Sequence, residues 1–216
     1  MLPDQTLFLT QLLTLWAVVD PVSHLPMFMG ATADFNAAER RRAAAISVLM
    51  AFVILTVFGL AGQFLLTAMG ISLLSFQIAG GIVLFLFAVS MVLGDAAHAI
   101  KAPAKRGAAA RRDAVMAVAV YPLATPIIAG PGAMLTIVLL MDNNRHSLAE
   151  QAITVGALAT ALAGLLVIFL AGDRIERLTG SGVTQLLRRI MGLLLSALAV
   201  NLVLSALAAW LKLPPI

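Results

Sequence analysis

The sequence predicts an all-α integral membrane protein of six transmembrane helices, arranged as two inverted three-helix repeats whose first and fourth spans are broken by proline pairs. Three observations carry that expectation. Hydrophobic residues make up 62% of the 216 and charged residues 11%, with a mean hydropathy of +1.04, far from the roughly 25% charged residues of a soluble domain. Long charge-free stretches alternate with short charged clusters. Two of the apolar stretches carry the same interruption: a capping residue, Pro, four residues, Pro, at Asp20-Pro21 to Pro26 and at Thr125-Pro126 to Pro131.

The spans follow from the charge-free runs. From Gln5 to Ala33 the only ionisable side chains are Asp20 and His24, so a first span is interrupted, not ended, by its prolines. Residues 43–94 carry no charge, enough for two passes of about 20 residues with a turn at Gly70-Ile71-Ser72. Further uncharged runs at 114–141, 151–172 and 190–211 complete the six. The whole chain, 1–216, reads as one transmembrane domain with a first half at 5–94, a flexible cytoplasmic connector at 95–113 rich in Ala, Lys, Arg and Gly, and a second half at 114–211. Asp4 stands where a signal peptide would carry Lys or Arg, which argues against a cleaved leader.

Basic residues test the count. Arg40 to Arg42, the connector cluster Lys101 to Arg112, and Arg174, Arg177, Arg188 and Arg189 follow the first, third and fifth spans, while only Arg145 and Lys212 fall on the opposite side. Such a split fits the positive-inside bias for six passes through the inner (plasma) membrane with both termini outside the cytoplasm. The same distribution assigns the basic charge to orientation in a lipid bilayer and not to nucleic acid. With no Cys there is no disulfide and no thiol redox relay. A shift of 105 lays Pro21 on Pro126 and Pro26 on Pro131, and a shift of 112 lays Ile78-Ala79-Gly80 on Ile190-Met191-Gly192; with three spans per half, the halves point oppositely.

Gly70-Ile71-Ser72, Ile78-Ala79-Gly80-Gly81, Pro122-Leu123-Ala124-Thr125-Pro126 leading to Ala129-Gly130-Pro131-Gly132, and Arg189-Ile190-Met191-Gly192 stand in order along the chain. Together these spaced motifs resemble the MarC family of membrane proteins. The resemblance runs nearly the whole chain. It implies six spans, kinship with small exporters related to the lysine exporter, and transport of neutral amino acids.

The breaks also have a physical reading of their own. Asp20 before Pro21 and Thr125 before Pro126 each place a capping side chain ahead of a Pro at the first helical position, as at a helix start. Two half-helices would then begin inside the membrane, with free amides and positive dipole ends facing a cavity able to hold a carboxylate; the alternative is that the prolines only kink helices for packing. Gly130 and Gly132 beside Pro131 would let backbone or ligand approach closely.

Asp20 is the one acidic side chain expected deep in the membrane. It reads as a proton carrier or a partner for a substrate ammonium, or else as a cap on the amides of Val22 and Ser23, and one residue could serve both in different states. His24, four residues on, shares that face; it could share the proton or bond a carbonyl. A metal site needs about three convergent donors, and none is expected here, nor any cofactor. Asn201 would bond substrate or a neighbouring helix, with Ser90, Gln77 and Tyr121 as weaker candidates. Gly156, Thr160 and Gly164 form a small-residue stripe suited to helix packing or to a homo-oligomer contact.

The expected substrate site thus comprises Asp20, Pro21, Ser23, Thr125, Pro126, Gly130, Pro131, Gly132 and Asn201, with Asp20 and His24 for proton coupling. It suits a zwitterion, because no Lys or Arg lies in the spans to hold a phosphate or dicarboxylate. The expectation is a proton-coupled secondary transporter of small neutral amino acids, working by alternating access. An exporter of drugs or metal ions shares the architecture and is the alternative. An enzyme is not expected: neither a His-Glu-x-x-His nor a Gly-x-Ser-x-Gly pattern occurs.

Overall fold

The computed structural model describes residues 3–93, 108–141 and 147–213, with the side chains of Pro3, Val22, Ser23, Phe87, Ser90, Met91, Ala108, Leu195 and most of 173–191 outside that description. Among the described residues every regular element is helical: α1 (Pro3–Val19), α2 (Pro21–Ala31), α3 (Ala37–Ala68), α4 (Leu73–Leu93), α5 (Ala108–Val118), an irregular π-helical stretch (Ala119–Ile128), α6 (Pro131–Leu140) and α7 (Leu148–Leu211).

Three segments are long and apolar enough to cross a bilayer unbroken: Ala37–Ala68, Leu148–Gly172 and Gly192–Leu211. Two bent pairs raise the number to five, Asp4–Val19 with His24–Ala31 at 49° and Ala109–Ile128 with Pro131–Leu140 at 62°. The chain is therefore an integral membrane protein with three to five membrane-capable helices. The sixth apolar element, α4, runs uncharged over the 21 residues Leu73–Leu93, a rise of about 31 Å against a hydrocarbon core of about 30 Å.

Local chemistry explains the ends. At the start of α3 the Glu39 N–H donates to Asn36 Oδ1 at 3.0 Å and the Asn36 N–H to Glu39 Oε2 at 3.1 Å, a reciprocal cap. Ser147 and Glu150 make the same cap for α7. Between α3 and α4, Gly70 adopts φ +66°. Its N–H reaches the Thr67 carbonyl at 3.0 Å and the Ile71 N–H the Leu66 carbonyl at 2.8 Å, the paired bonds that close a helix over a left-handed glycine. The turn expected at Gly70-Ile71-Ser72 is in place.

Two elements differ from expectation. The last residues of the connector are helical from Ala108, where alanines favour the helix and Arg111 reaches Glu39 of α3 with bonds of 2.6 and 2.8 Å. In α7 the helical pattern runs unbroken from Leu148 to Leu211 where a loop is expected after Gly172. A straight helix of that length would span about 96 Å. Yet Trp16 packs on Gly164, while its neighbours Ala17 and Val18 share a cavity with Leu198 and Leu202. Those positions would stand about 50 Å apart on a straight rod, so α7 turns back between Gly172 and Gly192.

Contacts give the relative directions. Phe8 lies by Gly156, Trp16 by Gly164 and Met29 by Gly172, so α1 and α2 run alongside the first stretch of α7 in the same sense. The Gln77 amide donates to the Leu202 carbonyl at 3.0 Å and Gly81 faces Ala199, Leu202 and Val203, so α4 packs against the second stretch. Arg111 meets Glu39 at one end and Gly59 meets Ile137 at the other, so α3 runs with α5 and α6. The predicted small-residue stripe serves packing at Gly164; Thr160 is exposed and bonds its own helix at the Gly156 carbonyl.

The core is centred on α2 and its surroundings, where Met27, Phe28 and Met29 are buried and Phe28 stacks on Phe169 with centroids 4.2 Å apart. Outward, Leu49, Val53, Val57, Leu60 and Phe64 form an exposed apolar stripe on α3, the face a lipid-embedded helix turns to acyl chains.

Candidate functional site

A cavity of about 350 Å³ lies between the two bends. Asp20 and His24 border it from the first, Pro126 to Ile128 and Gly130 to Gly132 from the second, and Leu84, Leu198 and Leu202 close it from α4 and α7.

The first bend occupies a single residue. Asp20 takes φ +41°, a left-handed conformation in which Asp and Asn are among the few side chains found routinely. Its N–H donates to the Trp16 carbonyl at 3.0 Å, closing α1, and its carbonyl accepts the His24 N–H at 3.2 Å, opening α2. Pro21 then holds the first helical position. The expected half-helix start is where the sequence puts it, but Asp20 is a left-handed hinge and not an extended N-cap. The first-turn amides of α2 belong to Val22 and Ser23; the Ser23 side chain lies outside the described part.

The second bend is a longer construction. Tyr121 (φ −132°, ψ 122°) and Thr125 (φ −139°, ψ 127°) are extended, and each precedes a cis proline. Prolines four residues apart remove two ladder donors, and the Ala129 N–H reaches the Ala124 carbonyl, five residues back, at 2.8 Å. Regular helix resumes only at Pro131, with Gly130 as an extended N-cap (φ −79°, ψ 170°). This corrects the reading of Thr125-Pro126 as the second helix start: Thr125 sits inside the irregular stretch and caps nothing. A Cβ on Gly130 would lie 2.7 Å from the Pro126 carbonyl oxygen, so only glycine fits there. The free first-turn amides belong to Gly132 and Ala133, and both residues line the cavity.

His24 joins the two bends. Its side chain is buried, 6% exposed, and surrounded by the backbone of Val19 and Asp20 on one side and Ile127 on the other. Its Nδ1 has no hydrogen-bond partner among the described residues. A buried imidazole at the edge of a cavity can give or take a proton.

Of the predicted substrate residues, Asp20, Pro126, Gly130, Pro131 and Gly132 line the cavity, as does His24. Pro21 and Thr125 shape the bends without lining it. Asn201 is exposed on α7, and Leu198 and Leu202 take the cavity face of that helix instead. Gln77 is engaged with the α7 backbone and Tyr121 is exposed. Sequence reasoning missed Thr136 and the apolar wall. Thr136 was within reach, since it stands four residues after Gly132 on the same helix face; the leucines look like any others in an apolar span. Among the described residues no cluster of His, Asp and Glu could hold a metal ion.

Residues 5–211 match the model of the MarC family integral membrane protein. Similar proteins include a UPF0056 membrane protein of Aquifex aeolicus, 32% identical over 95% of this chain and 94% of its own length. The UPF0056 inner membrane protein YhgN of Escherichia coli K12 is 30% identical over 90% and 93%, and a UPF0056 membrane protein of Archaeoglobus fulgidus is 32% identical over 93% and 92%. No solved structure matches the chain.

Proposed function

Since the chain belongs to the MarC family of integral membrane proteins, we propose that it is a secondary transporter of small neutral amino acids, coupled to protons and working by alternating access around the cavity between its two bends. One observation carries the reading: the half-helix start at Pro131 opens on a cavity that Asp20 and His24 of the first bend also border. Free amides and positive dipole ends there suit a carboxylate. Asp20 suits an ammonium group. No Lys or Arg lines the cavity to favour a net anion. Asp20 and His24, adjacent on one helical turn and bordering the solute space, are the proton-coupling pair.

The reading includes six passes through the inner membrane as two inverted halves, with both termini outside the cytoplasm and association into a homo-oligomer left open to the outer faces of the helices. The same sense of α1 and α2 with the first stretch of α7, and of α3 with α5 and α6, supports this topology, and YhgN is named as an inner membrane protein. Purified protein in liposomes, assayed for amino acid flux with and without a pH gradient, tests the proposal: gradient-driven flux is expected, and no flux of any amino acid would reject it. Thermal stabilisation by cations or hydrophobic drugs and not by amino acids would favour the export alternative.

A further inference from the structure

Part of the cavity wall is aliphatic. Leu84 of α4, Leu135 of α6 and Leu198 and Leu202 of α7 face the same cavity that holds Asp20 and His24. Asp20, His24 and Thr136 are the polar side chains in that lining, and α4 and α7 contribute leucines alone. A carrier of glycine alone would have no use for such a wall, since an unsubstituted α-carbon buries almost no apolar area against it.

Size points the same way. At about 30 Å³ per water-sized group, a cavity of about 350 Å³ holds on the order of ten heavy atoms. An alanine would leave much of that volume and most of the leucine surface unfilled. A four-carbon branched side chain would fill it and remove both its own surface and the wall from water.

We infer that the preferred solute is an amino acid with a branched aliphatic side chain, its carboxylate on the amides of Gly132 and Ala133, its ammonium toward Asp20 and the His24 surroundings, and its side chain on the Leu84, Leu198 and Leu202 wall. The inference rests on the amino-acid carrier reading and adds the identity of the side chain. Gly132 is the point where backbone and wall meet: a Cβ built there would come no nearer than 3.9 Å to any neighbour, and that neighbour is Leu202 Cδ1. A methyl at this position is therefore in ordinary contact, harmless to the fold, but it stands in the space between the carboxylate and side-chain regions.

The experiment is exchange in liposomes with radiolabelled leucine, valine, alanine and glycine, for the native protein and for Gly132→Ala. Leucine and valine are expected to exchange about tenfold or more better than glycine, and Gly132→Ala to lower leucine exchange severalfold while lowering glycine exchange less. Glycine or alanine exchanging as well as leucine would overturn the inference and leave the carrier reading standing. Equal loss for all four solutes in a folded Gly132→Ala would remove the aliphatic wall from the argument. No exchange of any amino acid would overturn both readings together.

Discussion

The two bends do the same job with different means. The first is one residue, Asp20, whose left-handed backbone ends α1 and begins α2 with a bend of 49°. The second needs the whole stretch from Ala119 to Gly130, two extended residues and a glycine N-cap, to turn the chain by 62°. Their prolines also play unlike parts. Pro21 and Pro131 each hold a first helical position, whereas Pro26 lies inside α2 without ending it and Pro126 lies in the irregular stretch. The lesson is that a repeated proline pair marks where a membrane helix is interrupted but not which proline starts the next segment. The conformation of the preceding residue decides that.

The largest effect expected from this contrast is at Gly130. A methyl added there meets the Pro126 carbonyl oxygen at 2.7 Å, backbone that cannot move aside. Gly130→Ala should therefore lose folded protein, read as aggregation on size exclusion in detergent; a monodisperse, normally melting variant would mean that the second bend is soft. Asp20→Asn comes next. Asn accepts the left-handed backbone as Asp does, so the protein should stay folded while gradient-driven flux falls about tenfold or more and loses its pH dependence, as removal of a proton-carrying group predicts. Unchanged flux and pH dependence would take the coupling role from Asp20 and leave it a hinge.

A smaller effect is expected at Pro26. Replacing it by Ala restores an amide inside α2, so the melting temperature should rise, within an upper limit of about 3 kcal/mol set by the cost of a proline in a helix interior. A fall would show that Pro26 shapes the bend as Pro21 does. The smallest effect belongs to the exposed ion pair. Arg111→Ala should lower the melting temperature slightly at low salt, and the difference should vanish at high salt because exposed pairs are screened. A large, salt-independent loss would mean that the start of α5 is held by more than its bond to Glu39.

Much of this was legible in the residues because interruption of an apolar run leaves a covalent signature. The all-helical membrane character, the turn at Gly70 and both bends follow from missing charges, a left-handed glycine and proline pairs. What stayed hidden depends on φ and ψ or on which helices become neighbours. Aligning Pro21 with Pro126 pairs a helix start with an irregular position, because sequence spacing carries no record that Thr125 is extended and that helix resumes six residues later. Asn201 drew notice as a polar residue in an apolar span, yet the face of α7 that meets the cavity is set by packing against α4, and it presents Leu198 and Leu202. The continuous helical backbone past Gly172 was equally hidden, since Arg174, Arg177 and the glycines near 180 read as a loop.

The ring stack of Phe28 on Phe169 has a consequence for motion. It fastens the first short helix to a segment from the far end of the chain, and Leu25 and Met29 seat on Gly172 beside it. A swing of α2 would therefore carry the first stretch of α7 along with it, joining two segments more than a hundred residues apart in the chain.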